Sequence, residues 1–330
     1  MGELLQVTKR GLYCEDGDFY IDPWRSVDRA IITHAHSDHA RQGMKQYLCS
    51  DEGEKVLRLR VGAKSNIQSM PFGQVVEMNG IRVSLHPAGH ILGSAQIRVE
   101  RAGEVAVVSG DYKTEPDSTC TPFEPIRCHT FITESTFGLP IYRWPKEGEV
   151  FKQINTWWQE NQQAGKATVL LGYSLGKSQR ALAGIDPEIG PIFLHETLEP
   201  YTRAYRAQGI RLPKTQDVSK APENFDWCKA LLIAPPGSMG PAWAAHIGPY
   251  AAAFMSGWMA VRGMRRSRGM HAGFVLSDHV DWPSLMSAIS ATGAERVFVT
   301  HGYTRQVVRH LREKGLDAHV LPSGWEGESE

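Results

Sequence analysis

Residues 33–39 read Thr-His-Ala-His-Ser-Asp-His and follow directly on the apolar run Ala30-Ile31-Ile32. An apolar run that short reads as a buried strand, so the chain must deliver His34, His36, Asp38 and His39 together into the loop at its end. Imidazoles and a carboxylate crowded in this way are costly to hold close unless a metal ion or an ion-pair network offsets their mutual repulsion and desolvation. Few folds can meet that demand. Histidine nitrogen and carboxylate oxygen are also the donors that bind Zn²⁺, at roughly 2.0–2.2 Å.

Other ligand-type residues sit where further β-prone runs stop. The run at 81–85 leads into Pro87-Ala88-Gly89-His90, that at 105–109 into Gly110-Asp111, and that at 296–300 into His301-Gly302. With Asp111 shared, His34, His36 and His90 are expected to hold one ion and Asp38, His39 and His301 a second. Two ions roughly 3.5–4 Å apart can clamp both oxygens of a phosphoryl displacement.

The texture of the chain changes twice. The first part, to about residue 135, is expected to be short strands and tight turns (12–20, 30–33, 75–78, 81–85, 95–100, 105–109 and 130–133) with a helix at 40–46. After Gly138, strand and helix alternate: helices at 149–163, 177–183 and 198–208, strands at 168–171, 231–234 and 251–255. From Gly273 the early texture returns, with strands at 274–276, 296–300 and 318–321 and helices at 282–292 and 303–314. This pattern predicts an α/β chain in which a middle domain, 140–271, is inserted into a first domain formed by 1–139 and 272–330.

The motifs resemble those of the metallo-β-lactamase fold and, within it, the β-CASP nucleases. His34 to His39 match the family's second motif, His90 its third and Asp111 its fourth, with Asp22 in Ile21-Asp22-Pro23 placed like its first. Glu134 in ITESTFG, His279 in LSDHVDW and His301 in VTHGY resemble the β-CASP motifs A, B and C. The segments TVLLGYSLGKSQRAL and FMSGW resemble the subgroup's inserted domain. The resemblance implies an αββα sandwich carrying an inserted α/β cap, with two Zn²⁺, or Mn²⁺, on His34, His36, His90 and Asp111 and on Asp38, His39, His301 and Asp111. It further implies that Asp22 and Glu134 orient ligating imidazoles. His279 is then a general acid to the leaving oxygen or a phosphate-contacting imidazolium. AGHILGSA resembles the mRNA 3′-end-processing branch and Ser37 the DNA cross-link-repair branch, whereas the chain's length is most like that of bacterial ligase-associated DNA exonucleases. The expected reaction is hydrolysis of a phosphodiester, DNA by preference, by a metal-bridged hydroxide, in DNA repair beside a DNA ligase and helicase. An RNA nuclease of the same fold and a non-catalytic nucleic-acid-binding scaffold are the alternatives.

A competing signal is Gly172-Tyr173-Ser174-Leu175-Gly176, which fits the nucleophile elbow of serine hydrolases and could be completed by Asp278 and His301. That reading leaves residues 34–39 unexplained. Gly176-Lys177-Ser178 fails the Walker spacing, because Leu171 stands where the first glycine belongs. The same turn can instead hold a backbone phosphate, giving Ser174 and Lys177, with Ser256, Arg262, Arg265 and Arg266, as candidate nucleic-acid contacts.

Among 330 residues, 36 Lys+Arg balance 36 Asp+Glu, which by itself speaks against binding nucleic acid through bulk charge. Two divalent ions would add about four positive charges at one place, so neutrality is compatible with a focused field. The five cysteines form no CxxC pair, and neither a leader-like start nor a membrane-length apolar run is present, which predicts a cytoplasmic monomer or homodimer away from membranes.

Overall fold

The computed structural model describes residues 4–238, 240–261 and 270–322. The chain divides into two compact units, Met1–Tyr142 with Asp278–Glu330, and Arg143–Ser277.

The first unit is built on two sheets. One runs, in spatial order, Gln6–Thr8, Gly11–Cys14, Phe19–Ile21, Arg29–Ile31, Gln46–Ser50 and Ile67–Met70. The other has seven strands, with Glu104–Val108, Thr130–Ser135 and Arg296–Gly302 near its centre. Side chains alternate across a strand, so a strand buried on both faces must be apolar at successive positions. Ala106, Val108 and Ile132 accordingly pack with Phe19, Ile21, Ile31 and Leu48 of the first sheet. Their neighbours Val105, Val107 and Phe131 pack outward with Leu285, Ile289, Val307 and Leu311 of helices Trp282–Thr292 and Thr304–Glu313. Helix Glu54–Val61 buries Val56 and Leu57 and contacts the far strands of the first sheet. The layers are therefore helix, sheet, sheet and helix, the αββα sandwich.

The second unit holds a sheet whose paired strands, Gln216–Asp217, Ile192–Leu194, Leu231–Ala234, Ala167–Leu171, Tyr250–Met255 and Ala272–Phe274, all run parallel. Leu170, Ala253 and Met255 pack on one face, Val169, Leu171 and Phe254 on the other. Helix Glu147–Gln163 buries Val150, Ile154, Trp158 and Asn161, a stripe at helical spacing. Ala253–Met255 pairs in register with Ala272–Phe274, so this last strand lies a little earlier than 274–276 and inside the second unit.

The helix expected at 40–46 does not form. Gly43 turns at φ +93°, and Gln46–Ser50 is a strand parallel to Arg29–Ile31 that buries Tyr47, Leu48, Cys49 and Ser50. Local helix propensity yields here to a β partner already in place. The run at 12–20 likewise resolves into two antiparallel strands, Gly11–Cys14 and Phe19–Ile21, with Asp18 at φ +52° between them.

Candidate metal centre

Topology brings the ligand-type residues together. Phe19–Ile21 and Arg29–Ile31 are parallel, so Asp22 and the 33–39 loop leave the same edge of one sheet. Glu104–Val108, Thr130–Ser135 and Arg296–Gly302 are also mutually parallel, which puts Asp111, Glu134 and His301 at a common edge of the other. Carboxyl ends of parallel strands are where α/β proteins gather site residues. Gly110 lets the two edges close up. It adopts φ +58°, and a Cβ there would stand 2.6 Å from Thr33 Cβ. His90 arrives on the loop between antiparallel strands Ile81–Pro87 and Ala95–Arg101, tied to the 33–39 loop by Ala95 N–H donating to Thr33 C=O at 2.8 Å.

Among the described residues, His34, His36, His90 and Asp111 present donor atoms all within 4.8 Å of one another, and so do Asp38, His39 and His301. Asp111 Oδ2 is 3.5 Å from His34 Nε2 in the first group and 3.5 Å from His39 Nε2, which is 3.6 Å from Asp38 Oδ2, in the second. Donors around a tetrahedral ion at roughly 2.0–2.2 Å stand about 3.4 Å apart, so these separations suit shared ions.

Tautomers supply a second test of fit. Thr33 Oγ1 donates to Asp22 Oδ2 at 2.5 Å and so can only accept from His34 Nδ1, 3.1 Å away. His39 Nδ1 donates to Asp22 Oδ2 at 2.7 Å, and His90 Nδ1 donates to the Asp278 carbonyl at 2.8 Å. Each of these rings spends its Nδ1–H on the protein and turns its Nε2 inward. Among the described residues, His34 Nε2, His39 Nε2 and Asp111 Oδ1 are buried with no hydrogen-bond partner, an arrangement that is costly unless a cation completes it. His90 Nε2 faces His36 Nδ1 at 3.1 Å, a pairing of ring nitrogens that requires a proton or a cation at one of them. These buried clusters are consistent with a binuclear metal site.

Burial, reinforced by the surrounding imidazoles, holds His34 and His90 well below the usual histidine range, hence neutral and able to ligate. Burial lowers His301 to about 4. Burial also works against a charge on His39, but Asp111, Asp38 and Asp22 outweigh it and lift this group to about 10, while burial pushes Asp111 up to about 7. The protein alone thus holds protons where a cation would remove the need for them.

Glu134 does not reach one of the seven candidate ligands in a hydrogen bond. It accepts from His279 Nδ1 at 3.0 Å and from the Tyr112 backbone N–H at 2.9 Å. Burial opposes charge on both members of the pair, yet their attraction prevails, lowering Glu134 and raising His279 well above its ordinary value. The pairing favours the imidazolium form of His279, whose Nδ1 is 4.0 Å from Asp111 Oδ2. Asp22 and His301, at φ +43° and +55°, both hold the left-handed conformation, in which residues other than glycine are uncommon.

Sequence reasoning missed Thr33 and the Asp278 carbonyl. Thr33 opens the histidine motif, and a hydroxyl at that spacing is a usable signal. The carbonyl is a backbone group with no sequence signature.

The nucleic-acid candidates lie elsewhere. Ser174, Lys177 and Ser256 belong to the second unit, whereas Arg262, Arg265 and Arg266 fall outside the described residues. Lys177 and Ser256 are each 1% exposed: Lys177 Nζ lies 4.3 Å over the Tyr173 ring, and Ser256 Oγ accepts from Trp258 N–H at 3.3 Å. Contact with a phosphate would require uncovering either of them. Ser174 does sit between strand Ala167–Leu171 and helix Lys177–Gly184, as an elbow would, but the partner of its hydroxyl is Thr197 Oγ1 at 3.5 Å, not a histidine.

No protein-family profile matches the chain. A solved structure of a protein of unknown function from Enterococcus faecalis shares the fold, with a TM-score of 0.58 at 10% identity, over 89% of this chain and 79% of that one. Layered sheets with a buried His/Asp corner at their strand ends define a metallo-β-lactamase-fold protein. More particularly, its relatives include nucleases of the β-CASP group of that fold. It is 33% identical to a probable DNA ligase of Opitutus terrae over 94% of this chain and 30% of that protein. It is 28% identical to endoribonuclease YSH1 of Saccharomyces cerevisiae over 49% of this chain and 20% of that protein. The chain thus spans less than a third of the length of either relative. No helix among the described residues is long and apolar enough to cross a membrane.

Proposed function

We propose that the chain is a binuclear metal-dependent phosphodiesterase acting on nucleic acid, and specifically a DNA exonuclease of DNA repair. The observation that carries this reading is the set of buried atoms without hydrogen-bond partners, His34 Nε2, His39 Nε2 and Asp111 Oδ1, converging from two sheets. His34, His36 and His90 would hold one ion, Asp38, His39 and His301 the other, with Asp111 between them; Zn²⁺ fits the donors and Mn²⁺ is the second candidate. When bound, the ions lower the pKa of water and neutralise charge on a phosphoryl group. Asp22, through His39 and Thr33, keeps Nε2 of His39 and of His34 aimed inward. His279, charged by its pairing with Glu134, gives a proton to the leaving oxygen or holds a phosphate oxygen.

DNA is preferred because a relative matched over nearly the whole chain carries the name of a DNA ligase, which also makes a ligase the expected functional partner. RNA is the second reading, favoured by the endoribonuclease matched over half the chain. Incubation with 5′- and 3′-labelled single- and double-stranded DNA and RNA, with Zn²⁺ or Mn²⁺ supplied, tests both. Stepwise shortening of DNA supports the proposal, and preferential cleavage of RNA replaces the substrate. Full activity in a preparation shown by metal analysis to be metal-free overturns the metal centre.

A further inference from the structure

Beside the 33–39 loop, on the first unit, an open pocket of about 550 Å³ is lined by Trp24, Arg25, Ser37, Arg41, Gln42 and Arg60, among others. Its described lining contains three arginines and no carboxylate. Ser37 stands between His36 and Asp38, and Trp24 also lines the cavity that holds Asp38, His39 and His301, so the pocket adjoins the metal centre.

Elsewhere on this unit arginines are commonly neutralised. Arg29 pairs with Asp18 at 2.7 Å and Arg101 with Asp16 at 2.6 Å. The contrast is sharpest on helix Glu54–Val61, where Arg58 pairs with Glu54 at 2.7 Å and Arg60, two residues on, has no carboxylate partner among the described residues. Arg60 is nonetheless held in place. Its Nε donates to the Ala35 carbonyl of the histidine loop at 3.1 Å, and Gln42 Nε2 donates to the Arg60 carbonyl at 3.2 Å, which leaves the outer edge of the guanidinium for a ligand. Arg25, exposed and lining the same pocket, has no ion-pair or hydrogen-bond partner for its guanidinium among the described residues. A planar fork fixed at one edge, a second cation free to move towards it and an indole at the wall suit a phosphate with a base attached.

We propose that this pocket is a subsite for a nucleic-acid strand, in which Arg25 and Arg60 grip one backbone phosphate and Trp24 lies against an adjoining base. The assignment rests on the nucleic-acid reading of the metal centre and adds to it the place where the strand is held beside that centre.

The test is binding, so that it does not depend on turnover. The full chain as purified is titrated against a fluorescein-labelled single-stranded DNA oligonucleotide with phosphorothioate linkages, which slow cleavage, and anisotropy is followed at several salt concentrations. Arg25→Gln and Arg60→Gln should each weaken binding about five- to tenfold and reduce the slope of log K against log salt by about 0.7. An RNA strand should show the same losses, since the contacts are to the backbone. Arg60→Gln also loses the bond to Ala35; Arg25→Gln has no such bond to lose, so it decides the matter. Unchanged affinity and slope in Arg25→Gln overturn the subsite even if the protein cleaves DNA. Failure of the wild-type protein to bind any strand overturns both the subsite and the nucleic-acid reading. Weakened binding in the variants of a protein that cleaves no strand supports the subsite and removes only the hydrolytic proposal.

Discussion

Two loops of this protein leave the carboxyl end of a parallel strand and carry residues that look catalytic, yet they are finished in opposite ways. The loop after Arg29–Ile31 turns His34 Nε2 and His39 Nε2 into a buried space and leaves them without hydrogen-bond partners. The turn after Ala167–Leu171 closes on itself: Gln179 Oε1 accepts from Gly176 N–H at 2.8 Å, and Gln179 Nε2 donates to the Ser174 carbonyl at 3.0 Å and to Thr202 Oγ1 at 3.2 Å. Burial is similar, but only the first loop asks for something from outside. The difference teaches that the accounting of lone pairs and N–H groups, more than residue type or position in a sheet, separates a ligand site from a structural turn.

The contrast can be broken most directly at Asp111, whose carboxylate faces both groups. Asp111→Ala should abolish phosphodiester hydrolysis, a loss of at least about 10⁴-fold, together with most bound metal by elemental analysis; retention of two ions would remove it from the centre. Next in size, His279→Ala should keep its metal while slowing the chemical step about 10²- to 10⁴-fold in single-turnover assays. Loss of metal in that variant would instead make His279 a ligand. Asp22→Asn weakens the acceptor for His39 Nδ1–H, and metal affinity should fall about 10- to 100-fold in competition with a chelator. On the other side of the comparison, Gln179→Ala leaves buried groups unpaired and should cost about 1–3 kcal/mol in urea unfolding without changing metal content. Ser174→Ala should change hydrolysis less than about twofold; a large loss would reopen the serine-hydrolase reading.

Much of the corner was legible along the chain because its ligand types are local. Four donors in residues 34–39, and a histidine or aspartate just beyond the β-prone runs at 81–85, 105–109 and 296–300, are visible without any fold. The helix expected at 40–46 went astray because Tyr47 to Ser50 had a strand to join, and propensity over one turn carries no information about a distant partner. The roles of Lys177 and Ser256 were equally opaque, since a basic or hydroxyl side chain beside a glycine turn reads the same whether it meets solvent or, as here, a tyrosine ring and a backbone N–H.

The sequence by itself determined which donors are available, which apolar runs become two-sided strands and that the middle of the chain alternates strand and helix. Only the tertiary structure decided which ring nitrogen of His34, His39 and His90 turns inward, that Glu134 pairs with His279, and that Arg25 and Arg60 face a common pocket while Arg58 does not share it. The reason is physical. Residue type and periodicity act through neighbours along the chain, whereas a tautomer, an ion pair or a pocket is set by partners such as the Asp278 carbonyl, brought to His90 from 188 residues away.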